Sequence, residues 1–165
     1  MQIITNQELN STLLEFLEGL DYFYPATKPL FQLLYNKGFR CMEVNDLQRF
    51  TIVNENQIRF KPAKNNNYRT FLISDFPSDF IAAIRNKSPK YISISCNTMR
   101  YTFNNLYKYR KVFSGDKGIS LHLFRYNFCR KLYDSGVSRE QIGMRLGEID
   151  LSNLDSYLFA DIYRL

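Results

Sequence analysis

The chain has 165 residues, of which 45% are hydrophobic and 16% aromatic, and its formal net charge is +6. This length is typical of one compact domain with a sizeable core, and the composition excludes a disordered chain. No apolar run is long enough to cross a bilayer and no secretory signal begins the chain, so we expect a cytoplasmic location and no membrane partner.

The N-terminal part of the chain is predicted to be helical. Either Thr5 or Asn6 is suited to cap a first helix. Pro29 is suited to open a second helix over residues 30–36, with Gly38 as its stop. In the first helix, apolar residues recur at helical spacing: Leu9, Leu13, Phe16, Leu17 and Leu20.

The periodicity then changes from helical to alternating. Residues 48–60 (QRFTIVNENQIRF) predict two strands around a turn at 54–56, and residues 68–74 (YRTFLIS) predict a third. The polar segment 61–67 (KPAKNNN) joins the last two strands as a hairpin loop. We therefore expect one small three-stranded antiparallel sheet.

Helical patterns return in the second half. They cover residues 78–86, about 98–112 and about 122–136, and possible capping boxes open two further helices at Ser138 with Gln141 and at Ser152 with Asp155. The predicted fold class is α+β and mainly helical, with the helices around the small sheet in a single domain over residues 1–165.

The three cysteines do not form a recognisable set. Cys41, Cys96 and Cys129 are widely spaced, and two of them lie in apolar settings. This spacing favours reduced packing residues over a disulfide framework or a metal site.

Several polar residues fit this plan poorly. Arg40 follows the predicted end of a helix, and His122 and Arg125 share a face of an otherwise apolar helix. Each has a simpler interpretation when taken alone. His122 could be a core histidine, Arg40 an ion-pair partner of Glu43, and Tyr157 one of twelve tyrosines, with Tyr163 as a competing nucleophile.

Their order and spacing resemble the tyrosine recombinase (phage integrase) family. Residues 38–44 (GFRCMEV) resemble its motif G-L-R-x-x-E-[LV], which implies a catalytic arginine at Arg40 and a supporting acid at Glu43. Residues 64–73 (KNNNYRTFLI) resemble its second and third strands, whose hairpin carries a catalytic lysine, here Lys64.

The resemblance continues to the C-terminus. HLFR matches the family's H-x-x-R box at His122 and Arg125, and residues 132–147 resemble the segment that family members often end with L-G-H. Gly136, Gly147 and Tyr157 follow Arg125 by 11, 22 and 32 residues, which implies that Tyr157 is the nucleophile.

One position departs from the family pattern. Glu148 stands where the family usually has His or Trp. A carboxylate there is repelled by a substrate phosphate unless it is turned onto one of the arginines or protonated. The resemblance therefore implies a catalytic set that includes this position but leaves its activity open.

The implied reaction is a metal-free and cofactor-free transesterification of DNA. The tyrosine attacks phosphorus, forms a 3′-phosphotyrosyl link and releases a 5′-hydroxyl, which can later reverse the step. The two arginines would stabilise the negative charge on the phosphoryl oxygens, and the lysine would protonate the leaving oxygen. The histidine would accept or relay the proton of the tyrosine, which needs this help because a free phenol has a pKa of about 10.

Double-stranded DNA is the implied partner, with self-association into a tetrameric synapse on DNA and a place at the nucleoid. The resemblance spans the family's catalytic domain, so we expect residues 1–165 to form that domain without the family's N-terminal core-binding domain. The alternatives are a catalytically inactive DNA-binding or assembly protein with the same fold, and a helical interaction module.

Contacts with the DNA backbone are expected from basic residues near the hairpin and on the predicted helix 98–112: Arg59, Lys61, Arg69, Arg100, Lys108, Arg110 and Lys111.

Overall fold

A computed structural model describes residues 1–63, 67–87, 94–148 and 150–165. Within these ranges the fold is mainly helical, as predicted. The helices are α1 (Asn6–Phe23), α2 (Lys28–Lys37), α3 (Cys41–Val44), α4 (Ser78–Asn86), α5 (Cys96–Leu106), α6 (His122–Asp134), α7 (Arg139–Leu146) and α8 (Leu151–Phe159). The strands are β1 (Gln2–Ile3), β2 (Phe50–Ile52), β3 (Gln57–Phe60), β4 (Arg69–Leu72), β5 (Val112–Ser114), β6 (Lys117–Gly118) and β7 (Ile162–Arg164).

The predicted three-stranded antiparallel sheet is confirmed, in the order β2-β3-β4. Ile58 and Phe60 of β3 are buried while Arg59 between them is exposed, so the sheet has one face on the core. This alternation is the pattern that a half-buried strand produces in sequence. The hairpin between β3 and β4 contains residues 64–66, which lie outside the described residues.

A second sheet was not predicted. It has the order β1-β7-β5-β6 and joins both ends of the chain to the hairpin over residues 112–118. The helix predicted over about residues 98–112 begins close to its predicted start, behind the cap Ser95, but its predicted end was wrong because the chain becomes extended at Tyr107. The four strands of this sheet have two or three residues each and, unlike β2, lie outside any longer alternating run, so they give little periodic signal in sequence.

Helix α6 lies at the centre of the core. Its residues Leu123 and Phe124 are fully buried, and the helix packs on α1, α2, α7 and α8. The rings of Phe16, Phe31, Phe103 and Phe124 form a cluster with several centroid separations of 4.9–6.0 Å. Because each buried phenylalanine contributes roughly 1.5–3 kcal/mol, this cluster fixes α6 firmly in the domain.

The helix caps agree with the sequence at three positions and differ at one. Thr5 caps α1, Ser138 caps α7, and Gly38 ends α2 in the left-handed conformation. The capping box at Ser152 was wrong, because Asp150 is the N-cap of α8 and accepts both the backbone NH and the hydroxyl of Ser152.

The cysteines are free, and Cys41 and Cys129 are buried. Burial raises the pKa of the Cys129 thiol to about 12, so this side chain packs as a neutral group. Among the helices that the structure describes, none is long and apolar enough to cross a membrane.

Candidate active site

Arg40 and Arg125, which are far apart in the sequence, meet on one carboxylate oxygen. The Nη2 atom of Arg40 lies 2.5 Å from Oε1 of Glu148, and the Nη2 atom of Arg125 lies 3.1 Å from the same oxygen. The two guanidiniums therefore face a common point. Their joint orientation is that of an oxyanion-binding site.

The turn between α2 and α3 positions Arg40. Gly38 ends α2 with a φ of 68°, and a Cβ atom on it would lie 2.6 Å from Cδ1 of Phe128. The fully buried Glu43 accepts a hydrogen bond of 2.9 Å from the backbone NH of Arg40. Glu43 thus supports Arg40 through its backbone, at the first turn of α3.

Helix α6 and the same turn position Arg125. Its side chain is 1% exposed, and its Nη1 atom donates a hydrogen bond of 2.8 Å to the carbonyl oxygen of Gly38. Because Gly38 comes two residues before Arg40, this hydrogen bond fixes the position of Arg125 relative to the turn that carries Arg40. The sequence motif at residues 38–40 and the motif at residues 122–125 therefore form one structural unit.

The C-terminal end of α7 positions Glu148. Gly147 has a φ of 71° and ends the helix, and the backbone NH of Glu148 donates to the carbonyl of Gly143. This turn directs the Glu148 side chain, which is 11% exposed, towards Arg40 and Arg125. The sequence leaves two arrangements for this carboxylate, turned onto an arginine or protonated. In the structure it is turned onto both arginines.

Arg69 does not have the placement expected of a contact with the DNA backbone. It is only 9% exposed, its guanidinium carbon lies 4.9 Å from the Phe60 ring centroid, and its Nη1 atom donates to the carbonyl of Arg145. Burial lowers the pKa of Arg69 to about 10, although the nearby Glu43 partly opposes this shift. Arg69 thus braces the end of α7 that carries Glu148.

A cavity of about 390 Å³ opens beside the arginine pair. It is lined by Arg40 and Arg125, by the exposed His122 at the start of α6, and by Arg100 from α5. The three arginines and the imidazole thus surround one space. No group of three or more potential metal ligands occurs among the residues that the structure describes.

Tyr157 lies next to Arg125 but outside the lining of this cavity. Its half-buried ring has its centroid 5.7 Å from the guanidinium carbon of Arg125 and 5.3 Å from the ring centroid of Tyr126. The competing Tyr163 lies on the second sheet, where its ring stacks on Phe113. Of these two tyrosines, Tyr157 thus has its ring beside Arg125, whereas Tyr163 lies in the second sheet.

The remaining basic residues expected to contact DNA, where the structure describes them, do not line the cavity. Lys64 lies outside the described residues. Arg59 and Lys61 are exposed at the hairpin. Three residues expected on the helix after the sheet instead follow the end of α5, close to the second sheet, and do not line the cavity: Lys108, Arg110 and Lys111.

Arg130 is a further residue at the site that the sequence analysis missed. It is 8% exposed, and its Nε atom donates a hydrogen bond of 2.8 Å to the carbonyl oxygen of Tyr157. The only signal in the sequence is an arginine inside the apolar run of α6, five residues after Arg125.

Comparison with known proteins gives a match at the level of structure alone. No family model and no curated protein matches the chain. A crystal structure of XerA recombinase matches 95% of the chain with a TM-score of 0.56 and 16% identity. XerH site-specific recombinase on a palindromic difH substrate matches 94% with a TM-score of 0.59 and 16% identity. The Tn1549 transposon integrase with a circular-intermediate DNA matches 95% with a TM-score of 0.52 and 14% identity.

The chain spans only part of each of these proteins. It covers 58% of the XerA chain, 48% of the XerH chain and 61% of the Tn1549 integrase chain. At these identities the matches establish the fold. The chain has the fold of a tyrosine recombinase catalytic domain.

Proposed function

We propose that this chain is the catalytic domain of a DNA site-specific recombinase or integrase, which cuts and rejoins DNA through a 3′-phosphotyrosyl intermediate. One observation carries the proposal: Arg40 and Arg125 converge on a single oxyanion while the ring of Tyr157 lies 5.7 Å from the guanidinium carbon of Arg125. Double-stranded DNA as substrate and self-association on DNA belong to the same proposal.

The proposed chemistry begins when a DNA phosphodiester replaces the Glu148 carboxylate between the two arginines. A phosphodiester in the position of the Glu148 carboxylate would receive hydrogen bonds from both arginines on its non-bridging oxygens. These oxygens gain charge in the pentavalent transition state, so two fixed guanidiniums would stabilise it more than the ground state. The hydroxyl oxygen of Tyr157 then forms a bond to phosphorus as the bond to the 5′-oxygen breaks.

Two proton transfers complete the balance of this step. The phenolic proton of Tyr157 passes to His122 or through it to solvent, and Lys64 supplies a proton to the departing 5′-oxygen. The exposed position of His122 at the cavity supports the first role. The phosphotyrosyl bond keeps the energy of the broken phosphodiester, so attack by a 5′-hydroxyl reverses the step without a nucleotide cofactor.

Glu148 sets a condition on this reaction. Its carboxylate occupies the position proposed for the phosphate, and two anions cannot share it because they repel strongly in a partly buried site. DNA binding would therefore require the Glu148 side chain to rotate away from the arginines. In this structure the Glu148 carboxylate therefore closes the site as an internal anion.

The same contact favours a second candidate function. If Glu148 never leaves, the three side chains form a structural ion-pair network, and the chain is an inactive protein that retains the fold for DNA binding or assembly. Partly buried ion pairs of this kind are compatible with a purely structural role. Activity, and not binding, separates the two candidates.

A covalent trapping assay makes this separation. Each protein is incubated with a pool of DNA duplexes of randomised sequence in which sulfur replaces the 5′-bridging oxygen, because the thiol released by cleavage rejoins poorly. Denaturing electrophoresis then shows any covalent adduct. We expect an adduct from the wild type and from the matched control Tyr163→Phe, and none from Tyr157→Phe.

Other outcomes have clear meanings. Equal trapping by wild type and Tyr157→Phe contradicts the proposed nucleophile. Salt-sensitive duplex binding by both proteins with no adduct from either supports the inactive DNA-binding protein instead.

A further inference from the structure

Arg130 makes three side-chain hydrogen bonds from a buried position on α6. Its Nε atom donates 2.8 Å to the carbonyl oxygen of Tyr157, its Nη2 atom donates to the carbonyl of Ala160, and its Nη1 atom donates 3.0 Å to Oδ1 of Asn6. One side chain thus joins α6 to the last turn of α8, to the residue after that helix and to the start of α1.

The carbonyl of Tyr157 is a group that α8 cannot satisfy itself, and Ala160 follows the helix as its C-cap. The last four carbonyls of a helix have no intrahelical partner, and a cation at this end also interacts favourably with the helix dipole. Burial lowers the pKa of Arg130, while the nearby Tyr126, Asp161 and Asp134 oppose that shift. A planar group with donors in fixed directions suits two backbone carbonyls better than an ammonium does.

Arg130 also reaches the Tyr157 ring through Tyr126. The guanidinium carbon of Arg130 lies 5.5 Å from the centroid of the Tyr126 ring, and that ring packs edge-on against the ring of Tyr157. The backbone of Tyr157 and one side of its ring are therefore both held from α6. The same helix carries Arg125, which faces the proposed phosphate position.

We propose that Arg130 is a positioning residue that fixes the distance between the nucleophile Tyr157 and the phosphate-binding Arg125. The inference rests on the proposed function for its catalytic meaning. Arg130 touches neither the proposed substrate position nor the hydroxyl of Tyr157. It acts through the backbone of α8, where a displacement of about 1 Å is enough to slow a reaction that depends on alignment by roughly a hundredfold.

Amide hydrogen exchange tests the anchoring without requiring activity. In Arg130→Met, we expect peptides covering residues 151–164 to exchange about tenfold faster or more, while peptides from α2 change less than about twofold. Arg130→Lys, which keeps the charge but has a single donor group, should fall between Arg130→Met and wild type. It also serves as the test variant if Arg130→Met does not fold.

Two variants control for general effects. Lys131→Met removes the neighbouring positive charge of α6, which binds Tyr35 on α2, and should leave exchange over residues 151–164 unchanged. Leu33→Ala weakens the core on α2 and should not loosen residues 151–164 selectively. Unchanged exchange over residues 151–164 in both Arg130 variants, or the same selective loosening in Leu33→Ala, overturns the inference.

The trapping assay adds the catalytic readout. We expect Arg130→Met to lower the rate of adduct formation at saturating DNA by about tenfold or more, with the Kd for duplex within about twofold of wild type and partial recovery in Arg130→Lys. If Arg130→Met changes neither the rate of adduct formation nor hydrogen exchange over residues 151–164, the proposal is contradicted. A wild type that forms no adduct refutes the proposed function alone, because the exchange result still decides whether Arg130 anchors α8.

Discussion

At the scale of single residues, Glu148 holds a position between two guanidiniums that otherwise favour an external anion. Its oxygen lies within 3.1 Å of both Nη2 atoms, and its side chain is 11% exposed. Removal of this carboxylate leaves two positive groups close together with one fewer partner, which disfavours folding. The same removal opens the site to a phosphate. Under the proposed function, the Glu148 carboxylate therefore stabilises the fold and lowers the affinity for DNA.

We predict that Glu148→Gln raises the affinity for duplex DNA by about three- to tenfold at low salt, which corresponds to roughly 0.7–1.4 kcal/mol. The same variant should lose free energy of unfolding, because its arginines lose their charged partner. Fluorescence anisotropy with a labelled duplex measures the first effect, and thermal unfolding measures the second.

Glu55→Gln is the matched control, since it makes the same change of charge at an exposed turn between β2 and β3. It should leave stability nearly unchanged and affect affinity only weakly. Equal effects of the two variants on affinity would show that net charge, and not the position of Glu148, governs binding.

The residues of the site differ in how far sequence reveals them. Arg40, Arg125 and Tyr157 stand in motifs at characteristic spacing, so they could be predicted together. Arg69 and Arg130 could not, because a sequence gives the charge of an arginine but not its burial. Their roles depend on backbone carbonyls of α7 and α8 that only the folded chain brings near.

At the scale of elements, the junction of α2 with α6 holds Arg40 and Arg125 in their relative positions. Gly38 adopts a left-handed conformation, lies tightly against Phe128 and accepts a hydrogen bond from Arg125. An L-residue with a side chain costs about 1–2 kcal/mol in that conformation, and the 2.6 Å approach adds a steric cost.

We therefore predict that Gly38→Ala lowers the free energy of unfolding by about 2 kcal/mol or more. Chemical denaturation monitored by circular dichroism measures this change. Gly19→Ala is the control, since Gly19 lies within α1 and a Cβ atom on it would meet no neighbouring side chain within 4 Å. That variant should be more stable than wild type by about 0.5–1 kcal/mol. A Gly38→Ala protein as stable as wild type contradicts this account of the junction.

The predictability of the elements follows their length and periodicity. Helix α1 and the sheet β2-β3-β4 have clear apolar patterns, and the sequence predicts both. The short strand β6 pairs with β5 in a local hairpin, but β1, β5 and β7 depend on pairing between distant segments, and the NH of Ile4 donates to the carbonyl of Ile162 in the same way. Local sequence contains no record of such pairing.

At the scale of the whole molecule, some exposed basic residues line the cavity and others lie on elements away from its lining. Arg100 lines it together with Arg40 and Arg125, while Arg85 is exposed on α4, which packs against β2. Each phosphate contact releases condensed counterions, so the logarithm of the binding constant falls by about 0.9 for each contact and each tenfold increase in salt.

We predict that Arg100→Gln reduces this salt slope by about one, whereas Arg85→Gln, with the same change in net charge, leaves it nearly unchanged. Duplex binding measured by anisotropy over a series of salt concentrations gives both slopes. Identical slopes for the two variants would mean that DNA does not approach the cavity face.

In the proposed reaction, the hydroxyl of Tyr157 attacks a phosphodiester held by Arg40 and Arg125. Mass spectrometry of the trapped protein–DNA adduct, after nuclease and protease digestion, tests it most directly because it identifies the residue that carries the nucleotide. The account predicts a nucleotide linked through its 3′-phosphate to the peptide that contains Tyr157, and a greatly reduced yield in Arg40→Ala and Arg125→Ala. A nucleotide on another residue, or a yield that neither arginine affects, contradicts it.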